Sequence, residues 1–296
     1  MADPGALNRS FSLAESAAYT RWLSRSHYEN FHVVTFLLPK RLRQDFYNVY
    51  AFCRWADDLG DEIGDPAESL RLLDWWNREL DAMYEGQASH PVFVALRDSA
   101  LRHGLPKEPF AHLIRAFVQD QTVHRYVTWD HLFDYCRCSA NPVGRLVLHL
   151  CGCSDPERRR LSDSTCTGLQ LANFWQDVTV DLQKDRVYIP LEVFRRHGAY
   201  LEDLLGRRFT PAFCSVMREA VSVARCFFLD GLPLARMVSR RLSLDVDLFS
   251  RGGLRLLDKI ERRGYNVLAR RPAISRLERA GLLLSSLLRV TFSRAA

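Results

Sequence analysis

The chain has 296 residues, 47% of them hydrophobic and 26% charged, with a formal net charge of +6 and a pI near 9.0. This is enough apolar material for a sizeable core, and it excludes a globally disordered chain. The positive charge is nearly all arginine, the only lysines being Lys40, Lys107, Lys184 and Lys259. Planar guanidinium forks suit an anionic substrate or an anionic membrane surface; nucleic acid is not among the expected partners.

Met1 to Ser12 lacks a basic start followed by an apolar run, so free thiols in a reducing cytosol are expected for the eight cysteines. Cys136/Cys138 and Cys151/Cys153 are C-x-C pairs within apolar helical pattern rather than C-x-x-C knuckles, and are read as core residues, not zinc ligands. No segment reaches the ~18 consecutive apolar residues needed to span a bilayer. Ala280 to Val290 reads instead as an amphipathic terminal helix.

In chain order, residues 1–12 are expected to be disordered and a helix is expected over Leu13–Ser24, before the segment His27–Pro39. A long helix should begin near Leu42 and run through Phe46, Val49, Phe52 and Ile63 until Asp65-Pro66, because proline disfavours helix at the residue before it. Pro66 opens the next helix, with Leu70, Leu73, Trp76 and Leu80 at helical spacing. Breaks follow at Ser89-His90-Pro91, Gly104-Leu105-Pro106, Asn141-Pro142 and Ser154-Asp155-Pro156. A helix over Arg158–Asp181 leads to a charged loop, Leu182–Pro190. Helices over Thr210–Arg241, over Leu254–Ala269 and from Ile274 onward complete the chain. No stretch alternates long enough for a sheet, and no linker is evident, so one all-α domain over 1–296 is expected.

Two acidic clusters carry the chemistry. In the first, Asp57-Asp58-Leu59-Gly60-Asp61-Glu62, the residues Asp57 and Asp61 lie four apart on one helical face. In the second, Asn173, Asp177 and Asp181 form an oxygen-ligand stripe two turns long, and no Lys or Arg stands between Arg160 and Lys184 to neutralise it. Carboxylates so placed repel one another and need a cation; hard oxygen donors in this number suit Mg²⁺, which keeps several waters and bridges to substrate phosphates. Arg54, one turn before Asp57, and Arg186, just after Asp181, are placed to grip diphosphate oxygens. Two such helices, with metal and arginine neutralising a leaving diphosphate, allow a C–O bond to break heterolytically; the cation then needs an aromatic pocket with little stray water. Phe31, Tyr50, Tyr135, Phe174 and Tyr188 are the candidates to line it.

These residues resemble the squalene/phytoene synthase family of head-to-head prenyl-coupling enzymes, from about His27 to Arg270. The resemblance rests on Tyr50-Ala-Phe-Cys-Arg54-x-x-Asp57-Asp58-x-x-Asp61, on Gln170-x-x-Asn173-x-x-x-Asp177-x-x-x-Asp181, and on Arg186-Val-Tyr188-x-Pro190, with Tyr135-Cys136, Ala140, Val143 and Gly144 between them. It implies the isoprenoid synthase fold around a central cavity. It also implies Mg²⁺ on Asp57, Asp58, Asp61, Asn173, Asp177 and Asp181. Substrate contacts would come from Tyr28, Asn30, Phe31, Arg54, Gln170, Gln176, Arg186 and Arg270, and catalytic roles fall to Tyr50, Tyr135 and Tyr188. Within the family the sequence looks most like the bacterial hydroxysqualene synthase branch, through His27-Tyr28-Glu29-Asn30-Phe31, Ser139-Ala140-Asn141-Pro142-Val143-Gly144-Arg145 and Asn173-Phe-Trp-Gln-Asp-Val. That branch implies ionisation of presqualene diphosphate with a water quench.

There are departures. Gln176 stands where many members have arginine, Tyr28 and Asn30 replace a serine-rich phosphate contact, and Gly253 replaces a tyrosine. They fit an enzyme that receives one diphosphate per substrate. The alternatives are a synthase that couples two prenyl diphosphates and a non-catalytic relative acting as an assembly factor. A cytoplasmic protein is expected, in peripheral contact with the inner face of the membrane and functionally coupled to other squalene-pathway enzymes.

Overall fold

The computed structural model describes residues 11–26 and 39–292, with side chains up to Val290. No strand occurs among them; the one β-type contact is an isolated parallel bridge between Arg125 and Val187. The helices are α1 (Leu13–Ser26), α2 (Arg43–Asp61, after a 3-10 turn Lys40–Leu42), α3 (Pro66–Tyr84), α4 (Pro91–His103), α5 (Glu108–Gln119), α6 (Trp129–Ser139), α7 (Asn141–Leu150) and α8 (Pro156–Asp181). They continue with α9 (Leu191–Arg196), α10 (Leu201–Leu205), α11 (Pro211–Gly231), α12 (Leu234–Met237), α13 (Arg240–Arg262) and α14 (Arg276–Phe292).

Several helix starts are written in the sequence. Asp65, Asp155 and Thr210 each accept a backbone N–H of the first turn through the side chain, and each is followed by proline at the first helical position. That residue has a fixed φ and no N–H to leave unpaired. His90 caps α4 in the same way through Nδ1. Its ring is packed against Trp55, Trp75, Trp76 and Phe93, and burial pushes its pKa down to about 3, so it stays neutral.

The chain forms two compact units, one of residues 1–122 and 145–154, the other of 123–144 and 155–296. In the first, α1, α2 and α4 pack together around a buried polar belt. The Thr20 hydroxyl donates to Asn48 Oδ1 (2.6 Å), Asn48 Nδ2 donates to the Ala95 carbonyl (3.0 Å) and Ser99 (2.9 Å), and Ser99 donates to Asp45 (2.7 Å). Arg102 closes the belt on the fully buried Asp45 carboxylate at 2.7 Å. A carboxylate buried this way is tolerated because a guanidinium and hydrogen bonds meet it. In the second unit, α8 and α11 form the central pair, and α13 packs on both.

Two expected boundaries move. The helix expected over 210–241 ends at Gly231, because Pro233 cannot donate to a continuing ladder, and α13 restarts at Arg240. The helix expected over 254–269 is the second half of α13 and stops at Arg262. There Gly264 (φ +62°) and Tyr265 (φ +64°) turn left-handed and Tyr265 N–H returns to the Ile260 carbonyl. The short helices α9 and α10 were not expected. The segment expected over His27–Pro39 lies, except for Pro39, outside the described residues, as do Tyr28, Asn30 and Phe31.

Asp245 on α13 is buried, and neither of its carboxyl oxygens has a hydrogen-bond partner among the described residues. Burial pushes its pKa from 3.8 up to about 8. At neutral pH the folded protein therefore keeps a proton that the unfolded chain has lost. The Asp245 contribution to stability is full below the unfolded pKa and is lost as pH rises from about 4 to about 8. Asp245→Asn should flatten this dependence and raise stability near pH 8 by roughly 2–4 kcal/mol. Urea midpoints of both proteins at low and high pH test it; parallel pH profiles would show that Asp245 does not cause the slope.

Candidate active site

In the first unit the acidic cluster closes α2. Arg54 reaches Asp57 (3.1 Å) and Glu62 (2.6 Å) and is also ion-paired with Asp58. Asp58 is the least exposed of the three, at 13% for the side chain, whereas Asp61 is open to solvent. Burial pulls the Arg54 guanidinium down, but Asp58, Asp57 and Glu62 outweigh it and hold its pKa above the ordinary arginine value. Tyr50, one turn before Arg54, is half-buried; burial raises its phenol, Arg54 lowers it, and Asp57 and Asp58 raise it further. Gln121 fixes the end of the helix by donating Nε2 to the Gly60 carbonyl at 2.9 Å. Burial, with help from Asp57, pushes the Cys53 thiol up to about 12, so it serves as a small packing group and not a nucleophile.

In the second unit the acidic stripe closes α8. Asp177 is held by a two-pronged ion pair with Arg271, whose Nη2 lies 3.1 Å from Oδ2 while Nε bonds Oδ1. The hydrogen bond that Arg271 donates to Asp177 is the largest cause of its raised pKa. Gln176 does not offer a charge to this end of the helix. Its Nε2 donates to the Pro272 carbonyl at 2.6 Å and ties the Arg271 segment to α8. Arg270, the arginine expected here, is exposed, and its carbonyl accepts from Arg263 at 3.3 Å. Asn173 is exposed and Gln170 half-buried.

Beside the stripe stands an aromatic wall. Phe174 and Tyr188 stack face to face at 3.6 Å with planes 7° apart; Tyr135 lies 6.2 Å from Phe174 and 5.9 Å from Tyr188, and Tyr126 lies 5.7 Å from Tyr188. Tyr126, the member that sequence reasoning missed, is among the most buried rings of the chain. The loop that presents Tyr188 is pinned to the strand-like segment before α6 by the Arg125–Val187 bridge, by Val187 N–H to the His124 carbonyl (3.0 Å), and by Arg125 bonding the Asp185 side chain and carbonyl. Glu219 on α11 accepts from Trp129 Nε1 (3.2 Å) and pairs with Arg196 and His197, locking α6 and α9 behind the wall. A cavity of about 10 Å³ opens beside Phe174, Asp181, Arg186 and Tyr188, about the space one water fills.

Gly253 has a steric reason. A Cβ there would stand 2.0 Å from the Phe228 ring, and a Cβ at Gly168 would stand 3.2 Å from the same ring. Phe228 fills the space between α8 and α13 that a larger residue at 253 would need.

All donors in the two clusters are hard oxygens, the chemistry Mg²⁺ prefers. Among the described residues no three His, Cys, Asp or Glu side chains close on one point. The donor set thus fits an ion that takes part of its coordination from water and substrate phosphate.

A family model for squalene/phytoene synthase matches residues 24–278. The chain belongs to this family. The phytoene synthase of Thermus thermophilus is 32% identical over 269 residues, 90% of this chain and 91% of that protein. The hydroxysqualene synthase of Rhodopseudomonas palustris is 34% identical over 238 residues, 79% of this chain and 80% of that one. The crystal structure of squalene synthase HpnC from Alicyclobacillus acidocaldarius shares 45% identity, covers 86% of this chain and 96% of that one, and superposes with a TM-score of 0.82. A dehydrosqualene synthase–ligand structure superposes at 0.83 with 22% identity and shows the fold alone. The fold is the all-α isoprenoid synthase fold, and the protein is an enzyme of the class that couples prenyl diphosphates head to head.

Arg271→Gln should lower kcat/KM for a prenyl-type diphosphate by ~10–100-fold, the cost of losing one charge-assisted phosphate contact, while Arg270→Gln stays within about threefold. Steady-state kinetics on the two variants decides between them; a larger loss at Arg270 would return the phosphate role to that residue.

Proposed function

We propose that the protein ionises presqualene diphosphate and captures the cation with water, giving hydroxysqualene and diphosphate. In this reading Asp57, Asp58, Asp61, Asn173, Asp177 and Asp181 hold Mg²⁺ ions, and the chain acts as one catalytic domain. Bound Mg²⁺ supplies charge neutralisation for the leaving diphosphate. Arg54, Arg186 and Arg271 add guanidinium donors to its oxygens. The C–O bond breaks, diphosphate departs with the electron pair, and a water adds to the carbocation and loses a proton to become the alcohol.

The observation that carries this reading is the aromatic wall of Tyr126, Tyr135, Phe174 and Tyr188 with a water-sized cavity at its Asp181 edge. Ring faces stabilise a cation, and phenol hydroxyls can hold a water against it. Two further features support a single diphosphate. Gln176 spends its amide on Pro272 and adds no charge for a second diphosphate, and Phe228 excludes a phosphate-facing tyrosine at 253. The hydroxysqualene synthases of Sinorhizobium fredii and Zymomonas mobilis, 34% and 39% identical, point the same way. The phytoene synthase relative, matched over 90% of this chain, favours a second reading in which two prenyl diphosphates are coupled.

The deciding experiment incubates purified protein and Mg²⁺ with presqualene diphosphate or farnesyl diphosphate, without NADPH, and identifies the products. Alcohol from presqualene diphosphate is expected; coupling of farnesyl diphosphate with no alcohol from presqualene diphosphate would establish the second reading instead. Asp57→Asn and Asp181→Asn should each lower turnover more than ~100-fold with the helical circular dichroism unchanged. Near-normal turnover would remove these residues from the metal site. Tyr135→Phe should leave diphosphate release within about threefold of wild type and shift product away from the alcohol. An unchanged product ratio would take Tyr135 out of water delivery.

A further inference from the structure

The second unit has a cleft of about 420 Å³ at the end of the helices remote from Asp177. Arg271, on Asp177, precedes α14, and the cleft is lined by Arg289 and Val290 at the other end of that helix, about 20 Å away along its axis. Three guanidinium-bearing residues line it, Arg236, Arg251 and Arg289. One carboxylate is available to them. Asp247, nearly buried, accepts from Arg251 Nε at 2.8 Å and 2.9 Å and lies 3.9 Å from Arg289. Arg236 makes no ion pair with a described residue and is exposed. The cleft thus carries two positive charges more than negative ones. Apart from Ser243, its other walls are apolar, from Leu229, Leu232, Pro233, Ala235 and Val290.

The surface beside the cleft is also unusual. α14 turns its leucines outward: Leu284 is 61% exposed and Leu288 51%, with Leu277, Leu283 and Leu287 exposed along the same helix. The fully buried position of its last turns is a serine, Ser286. Met237 and Leu229, exposed beside the cleft, extend the apolar surface. A pocket of excess guanidinium charge with apolar walls, set next to a raised strip of leucines, matches the cross-section of an anionic lipid: a phosphate headgroup, then acyl chain. A second copy of the chain does not match, since it would bring the same arginines against these, in a protein already at +6.

We propose that this end of the second unit docks on an anionic membrane, with a lipid phosphate in the Arg236–Arg251–Arg289 cleft and the α14 leucines in the acyl boundary. The site is distinct from the acidic clusters and orients the enzyme toward a phase that dissolves prenyl chains.

The test uses the full chain and flotation with vesicles of phosphatidylcholine alone or with a minor fraction of phosphatidylglycerol. Binding to the anionic vesicles should be at least about tenfold stronger and weaken at high salt. Arg236→Glu should reduce it by roughly 10- to 30-fold. Leu284→Glu with Leu288→Glu should reduce it similarly. Arg78→Glu, on the exposed face of α3, should stay within about threefold. Equal binding to neutral vesicles, an equal loss with Arg78→Glu, or abolition of binding by millimolar inorganic phosphate, which would mark the cleft as a small-anion site only, would each overturn the proposal. Turnover measured in detergent micelles should be unchanged in all these variants. That assay reports on the proposed reaction independently of the membrane result.

Discussion

The acidic end of α2 and that of α8 answer to one constraint: carboxylates four residues apart on a helix repel each other and must be neutralised. Both clusters show the same solution. Arg54 spans Asp57, Asp58 and Glu62 at the end of α2, and Arg271 clasps Asp177 at the end of α8. These arginines do two jobs at once. They keep the acidic helix ends folded, and they are donors of the kind that grips phosphate. A helix C-terminus is itself the negative end of the helix dipole, so acidic groups there are doubly unfavourable without a cation. Two such ends suit the cation and anionic-ligand binding proposed above.

The second requirement is rigidity behind the candidate site. Gln121 holds the Gly60 carbonyl, and Gln176 holds the Pro272 carbonyl, so each acidic helix end is fastened by a neutral amide that adds no charge. Tyr188 is held from two sides, by the Arg125–Val187 bridge and by the stack on Phe174. Ring orientation matters because a cation is stabilised over a ring face, not at its edge. The Glu219 network fixes α6 and α9 so that this wall cannot rotate away.

Much of this was legible beforehand. The acidic spacings, Arg54, and the aromatics Tyr135, Phe174 and Tyr188 could be found because their chemistry is local: i, i+4 pairs on one helix, or a motif within a few residues. The helix starts were legible through proline and its capping neighbour. What escaped was set by contacts distant in sequence. Tyr126 joins the wall through a loop pairing, and Arg271 rather than Arg270 reaches Asp177 because Gln176 pulls on Pro272 across 96 residues. Phe228 explains Gly253 only once α8, α11 and α13 are packed. The boundaries at Gly231 and Arg262 were misjudged because a periodic apolar pattern runs through both. Pro233 and the left-handed Gly264–Tyr265 turn, not hydrophobicity, end those helices.

If the proposed membrane docking holds, the second unit serves both chemistry and a lipid phase with few helices. α8 and α13 run between the Asp177 end and the far end, and α14 spans the same distance outside them. A prenyl substrate is itself divided in this way, with a charged head that needs metal and arginine and a long tail that water rejects. Charge of opposite sign marks the two ends: the Asp177 carboxylate stripe at one, and an excess of arginine over carboxylate in the cleft at the other. Because opposite ends of a helix are separated by more than a Debye length at physiological salt, neither cluster screens the other. In the proposed arrangement the acidic end collects cations while the arginine cleft faces an anionic surface. Exchanging either set for neutral residues would leave the packed core intact, since neither belongs to it, and would remove one of the two polarities that an amphiphilic diphosphate demands.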